Sequence, residues 1–414
     1  MHRRIFSRIP LTRRALQAGL QVMLLVLLVP LGIVGGWHAL SPSPAALARQ
    51  AAGGADSAAL LELVERAPRQ QLAADTLLQL LIQDAGALNA LARLATGNEA
   101  VLRHLIHVAR VQPDSIGKLA DVPMNYAFAL ALLQHMKPQG TEQLRRMADT
   151  RANACFLLGV ACENGLHMPQ DWAQAACWYG KARVQNPALA DFYYARAAYQ
   201  AGLACHQNDQ QASQAAHWFR EAALCNHAAA QCALGVCYAT GEGVEMNLQE
   251  AVAWYHRAAE QNFVDALFNL GWCYLQGEGV TADAGQSAAW FRKAAESGDD
   301  LAQYYLGRAC ELGHGVPVDM AQALYWYRRA ATEQQNDAAQ CALGHCYAQG
   351  LGVPQNWQQA VYWYLQAAEQ GRTEALLALS RCFEYGLGVA RNAETARYWR
   401  ERAADESPST IPES

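Results

Sequence analysis

From about residue 151 onward the apolar positions recur with the period of a helix, and the helices themselves recur. Between Ala228 and Thr240, the residues Ala230, Leu234 and Tyr238 stand four apart and make one apolar stripe. Gly241 and Gly243 interrupt it, and glycine accepts the left-handed backbone that closes a helix. Asn247 follows where a helix N-cap belongs, with Glu250 three residues later, the pattern of a capping box. A second helix then carries Trp254-Tyr255 and ends in the small pair Ala258-Ala259. This helix–turn–helix unit is repeated. Trp178, Trp218, Trp254, Trp290, Trp326, Trp363 and Trp399 are spaced by 40, 36, 36, 36, 37 and 36 residues. Nineteen residues before most of them stands Gly159, Gly235, Gly271, Gly307 or Gly344, with Ser380 in the last unit. The second unit, containing ARAAYQAGLACHQND, shows no glycine at that offset and reads as having a loop three residues longer.

The stretch GEGV at 241–244 and again at 277–280 resembles a glycine-rich phosphate loop, but such a loop needs a strand before it. Here a helix precedes it, and related turns return at 313–316, 350–353 and 386–389. The turn is therefore structural. Six residues after its first glycine stands Asp171, Asn247, Asp283, Asp319, Asn356 or Asn392. Each is a residue type that caps helices.

The sequence LG-x-x-Y, then G-x-G-V, then Asp or Asn, then A-x-x-W-[YF]-x-x-A-A, at a period of 36, resembles the Sel1-like repeats (SLR), a branch of the tetratricopeptide-like solenoids. The resemblance covers seven units over 151–405. It implies an all-α fold, an α/α solenoid that binds other proteins, and it leaves the partner open. The first two units depart most, with His167 in place of the second turn glycine in the first. By analogy with tetratricopeptide arrays, the inner wall is expected from the first helix of each unit. It would present Phe268 and Trp272, Tyr304 and Arg308, His345, and Arg381, with Trp272 as the solvent-facing anchor and Trp290 in the core.

Upstream, residues 55–150 alternate apolar helical runs with breakers and read as degenerate helix pairs capping the first repeat. Residues 38–54 read as a linker and 406–414 as a polar tail. The start of the chain is different. Arg3, Arg4, Arg8, Arg13 and Arg14 mark a basic tail over 1–17, and Ala18 to Trp37 is apolar apart from Gln21. At about 1.5 Å per residue that run spans roughly 30 Å, the thickness of a bilayer core. No Lys or Arg follows until Arg49, so a signal anchor in the inner membrane is expected, with the N-terminus cytoplasmic and the repeats periplasmic. Small residues at Ser43, Ala45, Ala46 and Ala48 leave a cleaved, secreted effector as the alternative.

Composition removes several function classes. Apolar residues make up 52% of the 414, and charged residues 17%, which suits a large core rather than a disordered chain. The net charge of −5 gives no basic face for nucleic acid. C-x-x-C, H-E-x-x-H and C-x-x-C-H motifs are absent, so neither a metal nor another cofactor is expected. Ser115–Lys118 matches S-x-x-K, but S-D-N and K-T-G are missing. A non-catalytic scaffold is the expectation, with a cell-wall or β-lactam hydrolase as the enzymatic alternative. Of the twelve cysteines, Cys237, Cys273, Cys346 and Cys382 share one repeat position and read as small apolar packing residues. Cys225 and Cys232 flank a junction between units. The resemblance to the cysteine-rich branch of the family implies a disulfide there, although the spacing in that branch is one residue longer.

Overall fold

The structure, a computed structural model, describes residues 43–52, 57–66, 77, 80, 124–136, 138–207 and 209–406. The basic tail, the apolar segment 18–37, the Ser115–Lys118 motif and nearly all of 406–414 lie outside these residues, and 38–54 and 55–150 are described in part. Among the described residues there are eighteen α-helices and no strand. No described helix is long and apolar enough to cross a membrane. The described residues fall into two compact units, one ending at Ala230 and one beginning at Gln231.

In the first unit, α1 (Pro44–Ala51) packs on α2 (Ser57–Arg66) and buries Leu47 and Ala51. Further on come α3 (Tyr126–His135), α4 (Gln139–Met147), α5 (Ala152–Asn164), α6 (Trp172–Gln185), α7 (Pro187–His206) and α8 (Ala212–Leu224). A buried carboxylate ties four of these segments together. Glu163 on α5 accepts hydrogen bonds from the Tyr126 and Tyr179 hydroxyls, at 2.9 and 2.7 Å, and pairs with Arg196 on α7. Three partners satisfy the charge, which burial alone would make costly.

The second unit repeats one hairpin. Its first helices are α9 (Ala228–Thr240), α11 (Val264–Gln276), α13 (Asp300–Leu312), α15 (Asp337–Gln349) and α17 (Thr373–Tyr385). Their partners are α10 (Leu248–Glu260), α12 (Ala284–Glu296), α14 (Met320–Glu333), α16 (Trp357–Glu369) and α18 (Ala393–Asp405). The turn reading holds: Gly241, Gly277, Gly313, Gly350 and Gly386 all sit at φ between +72° and +76°. The capping reading holds by half. Asn247 accepts the Glu250 N–H and Asp283 the Gln286 N–H, at 3.1 and 3.0 Å. The cap's own N–H, however, goes back to the first helix, from Asn247 to the Tyr238 carbonyl and from Asp283 to the Tyr274 carbonyl, both at 2.9 Å. One residue thus starts the second helix and closes the hairpin.

The recurring glycine nineteen residues before the tryptophan has a steric cause. A Cβ on Gly235, Gly271, Gly307 or Gly344 would lie 2.5–2.7 Å from the ring of Tyr255, Phe291, Tyr327 or Tyr364. That ring, one residue after the tryptophan, fills the core between the two helices. The second repeat obeys the same rule, contrary to the sequence reading. Gly202 faces the Phe219 ring, where a Cβ would lie 2.5 Å away. The offset changes because α7 runs on to His206, so the connection to the second helix is shorter rather than longer.

Candidate functional site

The first helices of the second unit carry the residues expected to line a binding wall, and the structure separates them into two groups. Arg308, His345 and Arg381 stand one residue after the recurring glycine or serine in three successive repeats, and all three are exposed. Tyr304 is half-buried, with its ring 6.0 Å from that of Tyr327. His345 sits edge-on to Tyr364, with Nδ1 3.3 Å from the hydroxyl.

Phe268 and Trp272 do not face solvent. Phe268 is 2% exposed and Trp272 is 9% exposed. The cause is Tyr305 on the next first helix, whose ring lies 6.1 Å from Phe268, 5.6 Å from Trp272 and stacks on Phe291 at 5.3 Å. The equivalent positions in the second unit hold Ala233, Asn269, Ala342 and Ala378, so within that unit Tyr305 is the one aromatic side chain at this position. The contrast drawn with Trp290 also reverses. Trp290 is half-buried, with Lys293 Nζ 4.2 Å over its ring, and the following Phe291 takes the core.

An open cavity of about 290 Å³ lies beside this covered patch, between α11, α12 and α13. Trp272, Phe291 and Tyr305 form its aromatic side, and Arg308 and His314 stand on its rim, both exposed. The cavity was not legible from the repeat pattern, because small residues create it.

The cysteines offer no nucleophile at this wall. All twelve are free thiols, including half-buried Cys225 and buried Cys232, so the bridge implied by the resemblance is not formed here. Asn269 Nδ2 lies 3.7 Å from Cys232 Sγ instead. Burial pushes the Cys382 thiol up to about 11, and Cys273 and Cys346 to about 12, which keeps them protonated at neutral pH. Among the described residues no group of three His, Cys, Asp or Glu side chains is placed to hold a metal ion.

Stacked helix hairpins with a glycine–aromatic contact in six of seven repeats, and Ser380 bonded to the Ala396 carbonyl in the last, define an α/α solenoid of the tetratricopeptide-like class. The family model for the Sel1 repeat matches residues 152–183, 188–227, 228–263, 264–299, 300–334, 337–371 and 373–408. These segments cover more than half of the chain, which therefore belongs to the Sel1 repeat family. Among solved structures, the chain is similar to c5321 of uropathogenic Escherichia coli, a protective antigen displaying an SLR fold. That match has 30% identity and a TM-score of 0.57, and covers 72% of this chain and 65% of the E. coli protein. A Sel1 repeat protein from Oxalobacter formigenes is 34% identical over 51% of this chain and 86% of its own, with a TM-score of 0.47. No curated protein matches the chain.

Proposed function

We propose that the chain is a non-catalytic scaffold, tethered in the bacterial inner membrane, that binds a protein or peptide partner along the first helices of its second unit. Sel1-repeat solenoids generally serve as protein-interaction scaffolds. The observation that carries the reading is the exposed row of Arg308, His345 and Arg381. Each repeats the position of the last, so a partner lying across these three repeats meets Arg308, His345 and Arg381 in succession. Arginine is a favoured interface anchor because its planar guanidinium combines donors with apolar faces.

The tether rests on the sequence. Five arginines precede the apolar run 18–37, and none follows until Arg49. An uncleaved anchor is further supported by the residues beyond it. The small residues that would suit a peptidase at 43–48 overlap α1, where Ser43 Oγ accepts the Ala46 N–H and Leu47 is buried. A protease reads extended backbone, and this helix would have to open first.

Capture of partners from solubilised membranes tests the binding part. Paired Arg308→Glu and Arg381→Glu substitutions are expected to lower partner yield by about tenfold or more, equivalent to roughly 1.4 kcal/mol, with the melting temperature unchanged. Undiminished capture would overturn the assignment of this face. A reporter that matures only in the periplasm, fused after Ser414, is expected to be active. Activity of a cytoplasm-only reporter at the same junction would overturn the topology.

A further inference from the structure

We propose that the cavity between α11, α12 and α13 is a recognition pocket for a peptide segment in which an aromatic or large aliphatic side chain lies next to an acidic residue. The proposal rests on the scaffold reading above and names the chemistry of the partner.

The pocket exists because one repeat departs from its neighbours at two places on one helix face. The first residue of the second helix is Leu248 in α10, Met320 in α14 and Trp357 in α16, but Ala284 in α12. Four residues on, Val252, Leu324 and Val361 are matched by Ala288. Residues four apart share a helix face, and both alanines line the cavity. In the next repeat the corresponding methionine and leucine fill this space, since Met320 Cβ and Leu324 Cδ1 come within 3.0 Å of where a Cβ on Gly352 would stand. Interiors close-pack, and a void of this size forfeits the contacts that its missing side chains would make. A partner's side chain would restore them.

The rim selects for charge. His314 stands in the turn where the two preceding repeats carry Glu242 and Glu278, and Arg308 stands where they carry Val236 and Trp272. No Asp or Glu lines the cavity. Glu311, one turn along from Arg308, is bonded by the Tyr327 hydroxyl at 2.6 Å. The indole nitrogens of Trp272, Trp290 and Trp399 are buried without a hydrogen-bond partner, and of these three tryptophans Trp272 lines the cavity. Of the other polar side chains lining the hole, Ser287 donates to the Gly271 carbonyl at 2.8 Å and Gln276 carries both donor and acceptor, so Arg308 supplies the charge, which fits a carboxylate beside an apolar group. The buried aromatic rings favour an aromatic occupant through edge-to-face contact. Arg308 belongs both to the cavity rim and to the exposed row that continues with His345 and Arg381 in the next repeats.

The test uses the full chain in detergent and an array of short synthetic peptides. Each peptide carries Phe, Trp, Leu or Ser at its centre, flanked by Glu, Lys or Gln. Retention is expected for Phe, Trp or Leu beside Glu, at least about tenfold over the same residue beside Lys and over Ser beside Glu. Ala288→Leu, which restores the side chain of Leu324, is expected to abolish that retention while the melting temperature holds or rises. Arg308→Glu, at an exposed position, is expected to remove the preference for Glu, and it remains informative if Ala288→Leu misfolds. Retention that survives both variants, or that ignores the flanking charge, overturns the pocket. So does retention of free aromatic acids without any peptide. If Ala288→Leu leaves partner capture from membranes intact while the Arg308/Arg381 pair abolishes it, the pocket fails and the scaffold reading stands.

Discussion

A methyl group added at Gly271 would meet the Phe291 ring 2.6 Å away, while one added at Gly241 meets nothing closer than Met246 Cβ at 3.4 Å. The two glycines therefore serve different purposes. Gly241 is needed for its φ of +76°, so Gly241→Ala is expected to cost about 1 kcal/mol through backbone strain alone. Gly271→Ala forces a fully packed ring to move and is expected to cost more, about 1–3 kcal/mol. Urea denaturation of both variants checks the order, and equal or reversed midpoints would contradict it. The tryptophans carry a parallel prediction. Trp272→Ala, which removes a side chain buried under Tyr305, is expected to lower stability by about 3–5 kcal/mol. Trp290→Ala is expected to lower it by clearly less, because that ring is half-exposed beneath Lys293. The sequence reading had these two roles exchanged, yet a signal was present. Ala288, Phe291 and Ala295 are spaced three and four apart and make one stripe, whereas Trp290 lies in line with Gln286 and Lys293. The helical phase assigns the ring after the tryptophan to the core. What the phase does not reveal is Tyr305, the one aromatic residue at a position that the other repeats of the second unit fill with Ala or Asn, whose effect is felt on the neighbouring helix.

At the scale of the element, each hairpin is closed by its cap. Asn247 holds the first turn of α10 with its side chain and the end of α9 with its N–H, so Asn247→Ala is expected to cost about 1 kcal/mol, the side-chain share alone. Circular dichroism during thermal melting reads this directly, and an unchanged midpoint would deny the cap a role. A second helix start responds to pH. His227 Nδ1 accepts the Ala230 N–H at 3.3 Å, and its ring stacks on Tyr199 at 4.8 Å. Burial lowers the His227 pKa below its ordinary value of 6.5. The folded state therefore binds the proton less readily than the unfolded chain. The stability contributed by neutral His227 is complete above the unfolded value and is lost as pH falls from there through the folded value. Denaturation midpoints should drop on the acid side of about pH 6.5, and His227→Asn, which keeps an acceptor that does not titrate in this range, should flatten the drop. Identical pH profiles for the two chains would contradict this. The caps were legible because Asp or Asn recurs six residues after each turn glycine. His227 was not, since nothing local distinguishes a buried imidazole acceptor from a surface histidine.

At the scale of the whole molecule, the period of 36 residues gives the architecture, and departures from that period give the candidate site. Helix phase, turn glycines and caps are local properties, so a single sequence displays them, and the hairpins of both units follow. The offset to the recurring glycine or serine places Arg308, His345 and Arg381 on one face of the first helices, but it does not give their exposure, since Val236 and Trp272 share that offset and are buried. The covering of Phe268 and Trp272 depends on which residue the next repeat supplies, and the cavity depends on two alanines whose significance appears only beside Leu248, Met320, Val252 and Leu324. The central claim is that the first-helix face, rather than the opposite one, meets the partner. The second helices offer a fair control, because Tyr325, Tyr362 and Tyr398 are 52%, 52% and 54% exposed and repeat from unit to unit. The most direct measurement places a photo-cross-linking amino acid singly at Arg308, His345, Arg381, Tyr325, Tyr362 and Tyr398 in the full chain and irradiates living cells. The expected result is one shared adduct from the three first-helix positions and none from the three tyrosine positions. An adduct from the tyrosine positions, with none from Arg308, His345 or Arg381, would contradict the account.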